Sequence, residues 1–189
     1  MKVRSMAYVA LFAALIAALG QVGAIPLPFT PTPITLQTLG VMLAGAMLGS
    51  RLGAASVFVF IGTVAVGFPV LAGGRGGMDV FVSPTAGYLI GWFFGAFVIG
   101  IMVEKLKKKN FLTFLSASIV GGILVIYAFG IPVQSFITNI GLKETFISSL
   151  IFIPGDLVKV LLSAFIAERL FNTKALTIPV KERILKREM

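Results

Sequence analysis

An all-α integral membrane bundle is the fold class this sequence predicts, with six transmembrane helices in one domain over residues 1–189 and both termini cytoplasmic. Three observations carry that expectation. Of 189 residues, 58% are hydrophobic and 12% charged, with a mean hydropathy of +1.03, more apolar surface than a water-soluble core of this length encloses. The apolar residues fall into runs separated by polar breaks, most of them near the ~20 residues a bilayer requires. Finally, Lys and Arg are shared very unequally among those breaks.

The runs lie at about 5–25, 35–49, 52–72, 84–103, 111–131 and 146–167. The first follows Lys2 and Arg4 in the manner of a signal peptide, but equally apolar runs come after it, so it is expected to be a retained span. The second is short. It is expected to survive because the chain beside it, Ile25 to Ile34, dips into the membrane under the cover of protein. Pro26, Pro28, Pro31 and Pro33 deny that segment the donors and backbone freedom of a helix, so it is expected to be extended. Ser83 as N-cap with Pro84 at the first helical position marks the start of the fourth span.

Orientation follows from the charged breaks. With a cytoplasmic N-terminus, that side collects Lys2, Arg4, Arg51, Lys105, Lys107, Lys108, Lys109, Arg169, Lys174, Lys181, Arg183, Lys186 and Arg187 against Arg75 and Lys143 outside, thirteen to two. The net charge of +9 is thus a topology signal. A nucleic-acid partner is not expected, because no aromatic residues are interleaved with the 105–109 cluster for base stacking. The tail from Lys174 to Met189 mixes Ile, Val and Leu with basic residues and is expected to lie along the anionic inner leaflet.

Two charges remain inside a span. Asp156 and Lys159 stand three residues apart on one helix face, where an ionised group costs roughly 2.5–3.5 kcal/mol on insertion scales. Pro154 and Gly155 just before them are positioned to kink the helix and free a carbonyl. Two readings stay open: a structural ion pair that neutralises itself, or an acceptor and a donor facing a cavity and a polar ligand. The absence of Cys and His excludes disulfides, thiolate and imidazole chemistry and the commonest metal sites, so no metal or cofactor is expected. A membrane enzyme would have only Asp156 and Lys159 from which to build a nucleophile or base.

Other candidates surround the pair. Gly73, Gly74, Arg75, Gly76 and Gly77 lack phosphate-loop spacing and face outside. Gly73 and Gly74 suit close approach of backbone to a ligand, and Arg75 offers a fork for a carboxylate, with Asp79 as an alternative partner; the other reading is a flexible loop with one solvated arginine. Gln21, Gln37, Thr38, Tyr88 and Gln134 are polar residues in or beside spans, with Gln37 and Tyr88 ranked first because they adjoin the unusual outer loops. Small residues recur every fourth position at Ala10, Ala14 and Ala18, at Gly45, Gly49 and Gly53, and at Gly87, Gly91 and Gly95. Such series allow close helix approach in lipid. The alanine series suits either internal packing or docking of another membrane protein.

Several segments, taken in order, resemble the biotin transporter family BioY, the S component of energy-coupling factor transporters. They are Pro33-Ile34-Thr35-Leu36-Gln37-Thr38-Leu39, the glycine loop from Ala72 to Gly77, Pro84-Thr85-Ala86-Gly87-Tyr88-Leu89-Ile90-Gly91, and Ile153-Pro154-Gly155-Asp156-Leu157-Val158-Lys159. The resemblance implies a six-helix bundle open to the outside that binds biotin with high affinity. It also implies a transmembrane T component and two cytoplasmic ATPase subunits as partners, with ligand contacts at Asp156 and Lys159 and T-component docking along Ala10, Ala14 and Ala18. The residues suit such a ligand. Asp156 would accept from a ureido N–H and Lys159 serve the carbonyl or carboxylate, with Phe29, Phe68 or Tyr88 covering the apolar ring.

Overall fold

The computed structural model describes residues 3–22, 24–28, 30–106, 108–173 and 179. Helix α1 spans Val3–Gln21 and is followed by a hairpin of β1 (Ile25–Leu27) and β2 (Thr30–Ile34). Then come α2 (Gln37–Ala65), a short 3-10 turn at Met78–Val82 and α3 (Ala86–Lys105). The next helical stretch comprises α4 (Phe111–Ile119), a π-turn at Val120–Val125 and α5 (Ile126–Thr138); the last comprises α6 (Leu142–Ser149), a 3-10 turn at Leu150–Phe152 and α7 (Ile153–Asn172). Among the described residues five stretches are long and apolar enough to cross a membrane. The tail from Lys174 to Met189, expected along the inner leaflet, lies outside the described residues except for residue 179, as do Phe29 and Lys107.

The spans expected at 35–49 and 52–72 both fall on α2, which is interrupted rather than straight. Gly49 adopts φ 79°, ψ −176°, a conformation a side chain would resist. The chain reverses there, because a Cβ on Gly53 would lie 2.8 Å from the Ala44 carbonyl oxygen and 2.9 Å from the Gly45 Cα. Gly100 of α3 presses against the same turn. The second limb ends at Ala65 and not near 72, since Gly67 takes φ +106° and Pro69 follows.

The proline segment is extended, as its composition dictates, and pairs with itself: Ile25 opposes Ile34 and Leu27 opposes Thr30. The register shifts between these two pairs, where Pro31, Thr32 and Pro33 of β2 stand against Pro26 of β1. One boundary differs from expectation. Helix α3 begins at Ala86 with Thr85 as N-cap, while the Ser83 hydroxyl bonds to the Val80 carbonyl at 2.7 Å and to the Thr85 hydroxyl at 2.9 Å. Ser83 therefore closes the preceding 3-10 turn instead of capping the helix. Likewise Pro154 sits in the first turn of α7, where its absent N–H costs nothing, and the chain before it tightens to 3-10 geometry.

The two ends of the bundle differ. At one end the Glu104 carboxylate accepts from the Ser50 backbone N–H at 3.0 Å and the Ser50 hydroxyl at 3.1 Å, and Glu168 accepts from the Phe111 N–H at 2.8 Å. That end carries Arg51, Lys105, Lys108 and Arg169. At the other end gather the hairpin, the glycine loop and the α5–α6 turn, where Asn139 adopts φ 54°. Between the ends, one apolar cluster centres on Phe60, Val57, Ile16 and Trp92, and a second on Met42, Ile99, Phe114 and Val160.

Candidate ligand cavity

Gln37 begins the cavity. As the first residue of α2 it is 1% exposed, and its amide is fully engaged by backbone: Nε2 donates to the carbonyls of Ile16 (3.3 Å) and Val70 (3.1 Å), and Oε1 accepts from the Ala72 N–H at 3.0 Å. It thus stitches α1, α2 and the glycine loop together and forms part of the wall. Next to it the Thr38 hydroxyl is buried without a partner among the described residues. Threonines deeper in helices bond back to the preceding turn, as Thr63 does to Phe60 and Thr138 to Gln134. In the first turn no such carbonyl is available.

The glycine loop contributes one wall residue with a charge. Leu71 and Arg75 pair across a tight reversal in which Gly73 and Gly74 take φ +80° and +71°. Those two glycines are exposed and stand outside the cavity lining, so their backbone freedom serves to turn the chain and aim Arg75 inward. Arg75 reaches Ala72 O and Thr85 Oγ1 only through contacts of 3.5 Å, which leaves most of its five donors uncommitted. Asp79 is not its partner: among the described residues Arg75 forms no ion pair, and Asp79 lies exposed beside Gly77.

Helices α3, α5 and α7 supply the rest. Tyr88, 7% exposed, donates to Gln134 Oε1 at 2.9 Å and lies 3.4 Å from the Ser149 hydroxyl. Gln134 Oε1 also accepts from Thr32 at 3.4 Å, so the hairpin is fastened to α5 above the cavity. Asp156 and Lys159 are each 5% exposed and form an ion pair of 2.8 Å between Oδ1 and Nζ. Tyr127 donates to the other carboxylate oxygen, Oδ2, at 2.6 Å.

These side chains face one open-mouthed cavity, walled by Thr32 to Thr35, Gln37, Thr38, Leu71, Ala72, Arg75, Thr85, Tyr88, Leu89, Trp92, Gly122, Ile126, Tyr127, Phe152, Asp156 and Lys159. That mixture, apolar walls with a few convergent polar groups, suits a small organic ligand. The pairing of Asp156 with Lys159 does not exhaust either group. A carboxylate offers about four lone-pair sites and an ammonium three protons, so each retains capacity toward a ligand. Phe68, one of the expected covering aromatics, is 58% exposed and outside the lining. Trp92, Tyr127 and Phe152 line the cavity without having been singled out by sequence reasoning, because an aromatic residue in an apolar span carries no mark distinguishing wall from core. Among the described residues no cluster of Asp or Glu suits a metal ion.

Comparison with known proteins gives one answer. The chain is 46% identical over 172 residues to a biotin transporter BioY of Rhizobium etli, covering 88% of this chain and 92% of that protein. It is 51% identical over 176 residues to a biotin transporter BioY of Rhodobacter capsulatus, covering 87% and 91% respectively. The fold matches a crystal structure of the S-component for biotin from an ECF-type ABC transporter with a TM-score of 0.87 and 39% identity, over 91% of this chain and 93% of the other. With the BioY family model matching residues 1–175, this chain belongs to the BioY family.

Proposed function

We propose that this chain is the biotin-binding S component of an energy-coupling factor uptake system in the cytoplasmic membrane of a prokaryote. The observation that carries the reading is the Asp156–Lys159 pair, buried in the wall of an apolar cavity and retaining hydrogen-bonding capacity toward it. Biotin presents ureido donors, a ureido carbonyl, an apolar thioether ring and a carboxylate. Asp156 accepts from a ureido N–H, Lys159 donates to the carbonyl or carboxylate, Arg75 is available to the carboxylate, and Tyr88 and Trp92 cover the ring. The relatives named above are biotin transporters, which supports this assignment.

On this reading the chain crosses the membrane six times, with the two limbs of α2 counted separately at Gly49 and both termini cytoplasmic. The basic end then faces the cytoplasm and the cavity faces outside. The protein is a transport subunit and not an enzyme; its sequence carries no phosphate-loop motif, so energy comes from a transmembrane T component with two cytoplasmic ATPase subunits. Ala10, Ala14 and Ala18 are all exposed on α1, which favours their role as a smooth docking face for the T component over internal packing.

Equilibrium binding of radiolabelled biotin to the purified protein tests the reading, and saturable binding of one biotin per chain is expected. Absence of saturable binding by folded protein overturns it. For the docking face, Ala14→Trp is expected to abolish co-purification of the T component while biotin binding persists. Lost biotin binding with unchanged recovery of the T component refutes that part.

A further inference from the structure

We infer that Tyr127 is a positioning residue for biotin recognition, acting through Asp156, and that the π-turn before it exists to bring its hydroxyl there. The inference rests on the biotin reading above and concerns the same cavity. Its first support is geometric. Tyr127 Oη lies 2.6 Å from Asp156 Oδ2, while Lys159 holds Oδ1 at 2.8 Å. A carboxylate gripped at both oxygens has its plane fixed, so its unused lone pairs point in set directions before a ligand arrives. The ring is itself held by an edge-to-face contact with Tyr88, centroids 6.4 Å apart at 83°.

The second support is helical phase. Residues Val120–Val125 form a π-turn inside an otherwise α-helical stretch. In an unbroken α-helix Tyr127 would lie five residues, or about 140°, around the axis from Gly122. A π-turn holds one extra residue and turns everything beyond it back relative to the helix before it, and because Gly122 lies inside the turn part of that rotation brings Tyr127 nearer the Gly122 direction. This explains why Gly122, Ile126 and Tyr127 all line one cavity. Gly121 and Gly122 permit the wide turn to nest: a Cβ on Gly121 would meet Gly95 O at 2.6 Å, and one on Gly122 would meet the Met42 side chain at 2.5 Å.

The test uses Tyr127→Phe, which keeps the ring and removes only the hydroxyl. In the purified full-length protein it is expected to weaken biotin binding by about ten- to one-hundredfold, the range for loss of a charge-assisted hydrogen bond. Because a structural role would also weaken binding, the same substitution is made in an Asp156→Glu background, where the longer carboxylate no longer meets the phenol in place. There Tyr127→Phe is expected to cost less than about twofold, as two residues acting through one contact are not additive. Wild-type affinity in Tyr127→Phe, or an equal loss in both backgrounds, overturns the inference. Failure of the unaltered protein to bind biotin overturns instead the functional reading on which it stands.

Discussion

The two ends of this molecule each bury or half-bury carboxylates, and they use them in opposite ways. At the basic end Glu104 and Glu168 accept from backbone N–H groups, those of Ser50 and Phe111, which are fixed by the fold itself. At the cavity end Asp156 is held, among the described residues, by the side chains of Tyr127 and Lys159, on two different helices. A backbone donor cannot rotate away or exchange partners, so the first arrangement locks elements together. A side-chain cage can share its acceptor with a newcomer, so the second is suited to a ligand.

The comparison breaks most visibly if the acidic residues are interchangeable in effect. Asp156→Asn or Lys159→Ala is expected to cost biotin binding about 2–5 kcal/mol, the range for losing one partner of a buried charged contact, while folded protein is still recovered from the membrane. Titration calorimetry in detergent measures this, and wild-type affinity in both variants removes the proposed roles. Glu104→Ala is expected to do the reverse. It leaves the Ser50 N–H and hydroxyl unsatisfied at a turn, lowering thermal stability of the ligand-free protein by about 1–3 kcal/mol with biotin affinity within about twofold of wild type. A large loss of affinity there erases the distinction between the ends.

Sidedness sharpens it further. Single cysteines are introduced as Arg75→Cys and Lys108→Cys into a chain that has none of its own. In intact cells an impermeant thiol reagent is expected to label position 75 and not 108; labelling at 108 alone inverts the topology. The smallest expected effect belongs to Thr38→Val, which removes a buried hydroxyl that has no partner among the described residues. Stability of the ligand-free protein should be unchanged or raised by up to about 1 kcal/mol, since an unsatisfied polar group is replaced by an apolar one of like shape. A loss above about 1 kcal/mol in thermal unfolding shows the hydroxyl to be bonded.

The sequence made the charged pair legible because Asp156 and Lys159 stand alone in an apolar run, and the extended hairpin legible because four prolines leave few other conformations. The partners of the pair were not. Tyr127 sits in a run hydrophobic on every side, so no amphipathic period reveals which face it occupies, and a π-turn changes phase without changing composition. Gln37 stood with Tyr88 at the head of the other polar candidates, yet its amide is committed to three backbone groups contributed by residues 16, 70 and 72, a convergence that only the folded chain displays. Ser83 and Pro84 read as a helix start, but Ser83 closes the 3-10 turn before the helix by bonding to Val80, three residues earlier. Gly73 and Gly74 were expected to bring backbone close to a ligand; their positive φ turns the loop outside the cavity lining, and the arginine beside them reaches the cavity.

The first limb of α2 has a consequence for how the protein is made. From Gln37 to Gly49 it extends only about 20 Å at ~1.5 Å per residue, short of the ~30 Å hydrocarbon layer, and every residue from Leu39 to Ser50 is buried by protein. On the proposed six-span topology such a segment, covered on every side in the finished bundle, is held in the membrane by protein contacts and not by lipid. Its seat includes Gly100 of α3, which presses on the Gly49 turn. Substitutions that stiffen Gly49 are therefore expected to lower the yield of folded protein in the membrane more than the affinity of what is recovered.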